Sequence, residues 1–415
     1  MEQVVFTTHL LESNLSDESG ITGSADGIFF PGQADELTAA FEQAAQRHAP
    51  ITLQGARTGF CGLAVPHGGY VINLSKMDQA LRFEFHEATG EASITVQAGM
   101  TLETLNQILM SKPSHISFAH ADSCAAWERY RQSKTILFFP PNPTESSASI
   151  GGMVATGASG SHLHFYGDIR DRVLSAYAVG FDGRQTGWDA FAPEGAPAVL
   201  AECTLKLAVK PAYTYGLLIF CEAYGQLLSF LQKLEAAIAG GAAFIASADF
   251  FDRSVFQMVR EKRDSLPSLQ ALPNYPAAPA CALWLELCAQ EEVSLFRLLE
   301  RAMAQMEAVG IQPDNTMFAN NTREFLRLQG LRHAVTESAN LCTYGRQKQL
   351  LETVVPIRRY PALLSELSNA LADAPTSGLL MGHAGACNFQ LRLLAQTGQE
   401  EAQAAAVLAR WKGAV

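Results

Sequence analysis

Apolar positions in the first quarter of the chain switch between two periods. Leu37, Phe41, Ala44 and Ala45 recur at helical spacing, and Asp35 just ahead of them is placed to cap that helix. Ile51 to Leu53, Tyr70 to Leu74 and Ile94 to Val96 are short apolar runs with the look of strands, the first of them followed by a glycine loop. Thr101 then caps a second helix carrying Leu102, Leu105 and Leu109. Residues 111–135 have few aliphatic side chains and no strong period, which reads as a polar surface excursion. From Phe138 to Gly183, short apolar runs sit in a stretch dense in Pro, Ser and Gly. A further strand is expected over Val199 to Val209, and Lys210-Pro211 after it marks a domain boundary.

Beyond that boundary the texture becomes strand followed by helix. Residues 214–239 form one such unit, and 280–309 another, with Ala282 to Leu287 ahead of Leu295, Leu298, Leu299, Met303 and Met306. A third runs from Thr353 to Leu371, with Val354-Val355-Pro356 ahead of Leu363, Leu364, Leu367 and Leu371. Pro267 to Pro279 reads as a loop. Strand–helix units with long connections imply an antiparallel sheet covered by helices on one face. The expected fold class is α+β, with a first domain over 1–210 and a second over 211–415.

Composition narrows the function classes. A 48% hydrophobic chain of 415 residues has ample material for two or three cores, which excludes disorder. Lys+Arg 30 against Asp+Glu 41 gives a net charge of −11, and no run of basic residues offers a nucleic-acid groove. The longest apolar stretches fall short of the ~20 residues of a membrane span. The opening MEQVVFTTHLLESNLSDE lacks the basic start and apolar core of a secretion signal, so a cytoplasmic protein is expected. Eight cysteines occur without a C-x-x-C pair, which argues against a disulfide framework, a zinc ribbon or an iron–sulfur cluster held by this chain alone.

Two loops carry candidate chemistry. Gly55-Ala56-Arg57-Thr58-Gly59-Phe60-Cys61-Gly62 follows a strand; its glycines let backbone N–H groups approach a phosphate, and Thr58 adds a hydroxyl donor. The spacing is neither G-x-G-x-x-G nor a P-loop, and an ordinary structural turn is the alternative. The second is Phe139-Pro140-Pro141-Asn142-Pro143-Thr144, followed by the small-residue run from Ser149 to Gly160. Its prolines hold one extended path, and its small residues expose backbone donors, a surface suited to a large planar ligand with a phosphate tail. Ser159 near His162 and His164 raises a serine hydrolase as the competitor, but no G-x-S-x-G elbow is present.

Jointly, GARTGFCGLAVPHGGYVINLSKM, VQAGMTLETLN, FPPNPTE, ASIGGMVATGASG and YGDIRDRVLSAYAVGFDG make residues 26–110 and 138–183 resemble the FAD-binding domain of vanillyl-alcohol-oxidase-type flavoproteins. Within them the closest likeness is to the glycolate oxidase/D-lactate dehydrogenase/D-2-hydroxyglutarate dehydrogenase branch, and LRHAVTESAN and GLLMGHAGACNF extend it into the second domain. The resemblance implies a two-subdomain FAD-binding domain followed by an α+β substrate domain with an antiparallel sheet. It implies that Gly55, Ala56, Arg57, Thr58, Gly59 and Gly62 cradle the FAD pyrophosphate. Pro140, Pro141, Asn142, Thr144, Ser149, Gly151, Gly152, Gly157, Ala158 and Tyr166 would wrap the rest of the cofactor, with Gly195 and Val199 from a later wall. Some relatives attach flavin through a His in the first loop; Arg57 and Thr58 stand in that region here, so the FAD is expected to be noncovalent.

At the substrate end, the resemblance assigns Arg332 to a carboxylate, Thr336 one turn later to the same substrate, and Lys348, one residue out of register, to the catalytic group. His383 is the histidine best placed for proton transfer. Relatives hold a divalent metal in a G-H-x-G-x-G-N-x-H segment and a later E-H-G. Here His383 and Asn388 match, Cys387 and Gln390 do not, and the sequence runs to Val415 without an E-H-G, so no metal is expected. The segment PEGAPAVLAECTLKL, holding Glu194, is trimmed relative to the family, with Pro197 and Ala198 in place of Leu-Gly. The implied activity is FAD-dependent oxidation of a small 2-hydroxy acid (lactate-, glycolate- or 2-hydroxyglutarate-like). Electrons would pass to an external acceptor: an electron-transfer flavoprotein, a quinone chain or an iron–sulfur subunit. An oligomer is compatible with this. The alternative is a flavin-binding, catalytically reduced subunit of a hetero-oligomeric dehydrogenase.

Overall fold

The structure, a computed structural model, describes residues 5–9, 12–181, 185–188, 198–238, 242–270, 272, 274–275, 279–346, 348–354, 359, 362–363, 366 and 377–412. The chain divides into two compact units, Met1–Ser159 with Gly167–Lys210, and Gly160–Tyr166 with Pro211–Val415. The seven-residue arm at 160–166 thus belongs by packing to the second unit, although it lies inside the first in sequence.

In the first unit, β1 (Val5–Thr7), β2 (Gly27–Phe30), β3 (Ile51–Gln54) and β4 (Tyr70–Asn73) form a sheet in the order β1-β2-β4-β3, with β2, β4 and β3 parallel. Helix α1 (Ala34–Gln46) supplies buried Leu37, Ala40, Phe41 and Ala44 to the shared core. Its N-cap is Gln33 rather than Asp35, which sits inside the first turn beside the positive helix end. A second sheet is antiparallel, β5-β6-β10-β8-β9, from β5 (Ala80–His86), β6 (Glu91–Gln97), β8 (Val173–Gly180), β9 (Gln185–Trp188) and β10 (Ala198–Lys206). Strand β5 buries Phe83 and Phe85 and exposes Arg82, Glu84 and His86, the period-2 signature of a half-buried strand.

The expected polar excursion at 111–135 is instead an aromatic layer. Helix α2 (Leu102–Ser111), capped by Thr101, is followed by α3 (Ala121–Gln132), which packs Trp127 and Tyr130 against Phe83. Few aliphatics are present because aromatic side chains do the filling. Tyr130 Oη donates to Leu109 O (2.7 Å) and accepts from Leu137 N (2.9 Å), tying α2 to β7 (Leu137–Phe138), which pairs with β11 (Ala208–Val209). Burial pushes the Tyr130 phenol up to about 12, so it stays neutral. Between β7 and β8 lie α4 (Ile150–Thr156) and α5 (Leu163–Tyr166).

The second unit is a seven-stranded antiparallel sheet in the order β15-β12-β14-β13-β17-β18-β16. Its strands are β12 (Tyr213–Cys221), β13 (Ala243–Asp252), β14 (Cys281–Ala289), β15 (Thr316–Ala319), β16 (Gln349–Val354), β17 (Gly378–His383) and β18 (Asn388–Leu393). Helices cover both faces, not one. Helices α6 (Tyr224–Ile238) and α9 (Glu292–Ala308), with α11 (Gly398–Lys412), bury leucines against Leu283, Leu285 and Phe250. On the other face α7 (Arg253–Lys262), α8 (Pro267–Gln270) and α10 (Thr322–Cys342) cover Leu218, Phe251 and Trp284. A central strand such as β14 is buried throughout, so it shows no alternation to reveal that a second layer exists. Pro267–Gln270 is helical, not loop. Gly195 and most of the expected helix ending at Leu371 lie outside the described residues. No helix among the described residues is long and apolar enough to cross a membrane.

Replacing Tyr130→Phe removes one hydroxyl that serves two backbone groups. It is expected to destabilise the first unit by about 1–2 kcal/mol, read as a lower urea midpoint at unchanged slope.

Candidate functional site

The two loops nominated by sequence meet in the first unit. The Gly55–Gly62 loop leaves β3 at Gln54, a buried amide whose Nε2 donates to Asn14 O (2.9 Å) and Ala64 O (2.8 Å), closing the loop's base. Glu18 N donates to Arg57 O at 3.3 Å, and Arg57 takes φ +61°, a conformation disfavoured for a side chain with a Cβ. The N–H groups of Ala56 to Gly59 donate to no acceptor among the described residues, and space opens around Gly59. At Gly55 a Cβ would lie 2.2 Å from Ser149 Oγ, so only glycine allows this loop to touch the start of α4.

Ser149 caps α4, its Oγ accepting from Gly152 N at 3.4 Å. Ile150 N and Gly151 N bond Met100 O and Ala98 O, each at 2.8 Å, seating this run on the chain leaving β6. Asn106 Oδ1 accepts from Phe139 N at 2.8 Å and anchors the rigid Pro140-Pro141 path, while Asn142 N reaches Ser159 O at 2.9 Å. Gly157 ends α4 at φ +71°. Ser159 Oγ is committed to Asp168 Oδ2 (3.2 Å) and Ile169 N (2.9 Å), which removes it as a hydrolase nucleophile. Val199 is buried on β10, opposite Val179.

The second unit holds a polar cluster on the sheet face under α10. Asp249 on β13 and Glu286 on β14 are each 3% exposed in strands buried along most of their length. Asp249 Oδ1 lies 2.7 Å from His383 Nδ1 and Oδ2 lies 3.0 Å from Arg332 Nε. Glu286 Oε2 lies 2.9 Å from His162 Nε2, and Oε1 accepts from Trp284 Nε1 (3.1 Å) and Gln329 Nε2 (3.3 Å). Burial alone pushes both carboxyls up. For Asp249 it is outweighed by Arg332 and His383, and for Glu286 by His162, Trp284 and Arg332, so both are held below the ordinary carboxylate values and are ionised. Thr336, one turn beyond Arg332 on α10, carries a buried Oγ1 with no hydrogen-bond partner among the described residues.

His162 arrives on the arm, which is held by Phe165 stacked on Phe244 (3.8 Å between centroids) with Tyr166 edge-on to both. Tyr166, nominated for the cofactor, is therefore a buried member of the second unit. His164 sits 3.9 Å from Glu235 and against Gly385, where a Cβ would meet its ring at 2.0 Å. Burial drives the pKa of His164 down and that of Glu235 up, so desolvation opposes charge on both partners of this contact.

Arg332 and His383 are thus brought together, and Thr336 lies on the same helix as Arg332. Lys348 is not joined to them. Its Nζ donates to Asn340 O (3.2 Å), Thr343 O and Thr343 Oγ1 (both 2.7 Å), closing the C-terminus of α10. That end is eleven residues past Arg332, roughly 16 Å along the helix axis. Gln390, where relatives carry a histidine, accepts from Arg392 Nη2 at 3.2 Å. Asp249, Glu286 and His162 were not expected. Glu286 had a signal, a lone carboxylate within an apolar strand, a residue type almost never buried without a partner.

Residues 25–124 and 128–186 match the family described as the FAD binding domain, and residues 225–414 match the C-terminal domain of FAD linked oxidases. The chain belongs to the FAD-linked oxidase family. It is 22% identical over 428 residues to the mitochondrial D-2-hydroxyglutarate dehydrogenase of Danio rerio, covering 98% of this chain and 73% of that protein. It is 24% identical over 389 residues to a probable mitochondrial D-lactate dehydrogenase of the same organism (88% and 68% covered). A D-2-hydroxyglutarate dehydrogenase of Xanthomonas citri pv. viticola is 24% identical over 386 residues, covering 88% and 72%. Among solved structures, alkyldihydroxyacetonephosphate synthase shares the fold, with a TM-score of 0.63 at 12% identity over 94% of this chain and 73% of that one. As a member of this family the chain is an oxidoreductase that uses FAD. The first unit fits such a dinucleotide: a row of unengaged N–H groups beside an open glycine suits a pyrophosphate.

Two expectations follow. Gly55→Ala forces Ser149 away from the loop and should weaken FAD retention at least ~10-fold, measured as flavin absorbance per protein after gel filtration. Glu286 gives an acid-stability signature: a carboxyl held lower folded than unfolded adds stability that is complete above about pH 4.3 and lost as pH falls through the folded value. Near-UV circular dichroism should therefore hold until below that pH, and Glu286→Gln should change the acid limb.

Proposed function

We propose that this FAD-linked oxidoreductase oxidises a small 2-hydroxy acid. The observation that carries the reading is a single ionised carboxylate, Asp249, holding a guanidinium and an imidazole together. A 2-hydroxy acid needs those two groups: a cation for its carboxylate and a base for its hydroxyl proton. Arg332 would bind the carboxylate, and Thr336 Oγ1, without a hydrogen-bond partner among the described residues, would donate to it. Because ionised Asp249 can only accept, His383 Nδ1 carries the proton, and Nε2 is the nitrogen that would take the hydroxyl proton. The names of the relatives support a hydroxy acid, and none of those reported above is described as a subunit of a larger assembly.

FAD would lie along the Gly55–Gly62 loop and the Pro140–Ala158 path, its pyrophosphate facing the N–H groups of Ala56 to Gly59. When bound, it supplies the acceptor for the hydride equivalent leaving the hydroxyl-bearing carbon. Arg57 and Thr58 offer no imidazole for attachment, so the cofactor is held noncovalently. Electrons then leave through an external acceptor.

Anaerobic mixing of the holoenzyme with D-lactate, glycolate and D-2-hydroxyglutarate should bleach the oxidised flavin with at least one of them; bleaching by none would refute the assignment. With the active acid, Arg332→Lys should lower kcat/KM at least ~10-fold through loss of the planar fork. His383→Gln should lower kcat by about 10²–10⁴-fold. Acid precipitation should leave the yellow colour in the supernatant.

A further inference from the structure

Asp249 engages its two neighbours with different oxygens, Oδ1 to His383 Nδ1 and Oδ2 to Arg332 Nε. Strand register places it: Asp249 lies opposite His383 on β17 and opposite Trp284 on β14, so no side-chain choice is needed to bring acid and imidazole together. The carboxylate is 3% exposed, which leaves water little access to either contact. An acid in this position dictates which nitrogen of the ring is basic and draws the guanidinium to its other oxygen by charge.

We infer that Asp249 is a positioning residue that selects the Nε2-basic tautomer of His383 and holds the Arg332 guanidinium beside it by charge, so that one carboxylate sets base and anchor together. The inference rests on the function proposed above and assigns the two roles a common support.

An asparagine there has one acceptor and one donor end. Arg332 can only donate, so it claims the amide oxygen and turns the NH₂ toward His383. Nδ1 must then accept, the ring flips to the Nε2–H tautomer, and the basic nitrogen facing substrate is lost.

Long-range ¹H–¹⁵N spectra of histidine-labelled holoenzyme test this without turnover, with His383→Gln identifying the signals. The expected result is protonated Nδ1 in wild type, protonated Nε2 in Asp249→Asn, and return to Nδ1–H in Asp249→Glu. With the hydroxy acid that bleaches wild type, Asp249→Asn should lose about 10³–10⁴-fold in kcat while KM stays within ~3-fold, and Asp249→Glu should recover part of kcat. Calorimetric binding of oxalate, an inert dianion, should stay within ~3-fold in Asp249→Asn because Arg332 keeps its partner. Nε2–H in the wild type, or the same tautomer in wild type and Asp249→Asn, overturns the inference. If Asp249→Asn fails to fold, the wild-type and Asp249→Glu spectra decide. A tautomer switch in a protein whose flavin no hydroxy acid bleaches leaves the positioning role standing and removes the proposed substrate.

Discussion

Burying Asp249 and Glu286 on adjacent strands of the second unit's sheet carries a desolvation penalty of several kcal/mol per ion before any partner is counted. Their partners arrive from separate elements: Arg332 and Gln329 from α10, His383 from the end of β17, Trp284 from β14 itself, and His162 from the arm. Removing any one of them would strand a charge in low dielectric. The layer above the sheet is therefore held in one arrangement by charge satisfaction as well as by the leucines of α10.

Much of the first unit was legible because its signals are local. The capping of α2 by Thr101, the helix at 34–46 and the glycine loop after β3 depend on neighbours a few residues away. The aromatic layer at 121–132 was missed because aliphatic periodicity is blind to a core built from Trp127 and Tyr130. The second layer of helices in the second unit was missed because strands buried on both faces lose the alternation that would announce it.

The candidate site divides along the same line. Arg332, Thr336 and His383 came from a resemblance, which carries chemistry but not geometry. Lys348 came with them, and the structure shows it bonded to the last carbonyls of α10. The carboxylates that organise the cluster pair with residues over 80 positions away, as Asp249 does with Arg332, or over 120, as Glu286 does with His162. No spacing rule spans such distances. What remains visible in a single sequence is the oddity of an acid inside a hydrophobic strand.

The placement of the arm bears on how the protein can be dissected. A fragment starting at Pro211 would look like a complete domain by sequence, yet it would omit Gly160–Tyr166. Glu286 would lose its imidazole and Phe244 its stacked ring. Expression of that half by itself would thus yield a sheet whose Glu286 lacks one of its charged neighbours, so domain boundaries for truncation should follow packing rather than chain order.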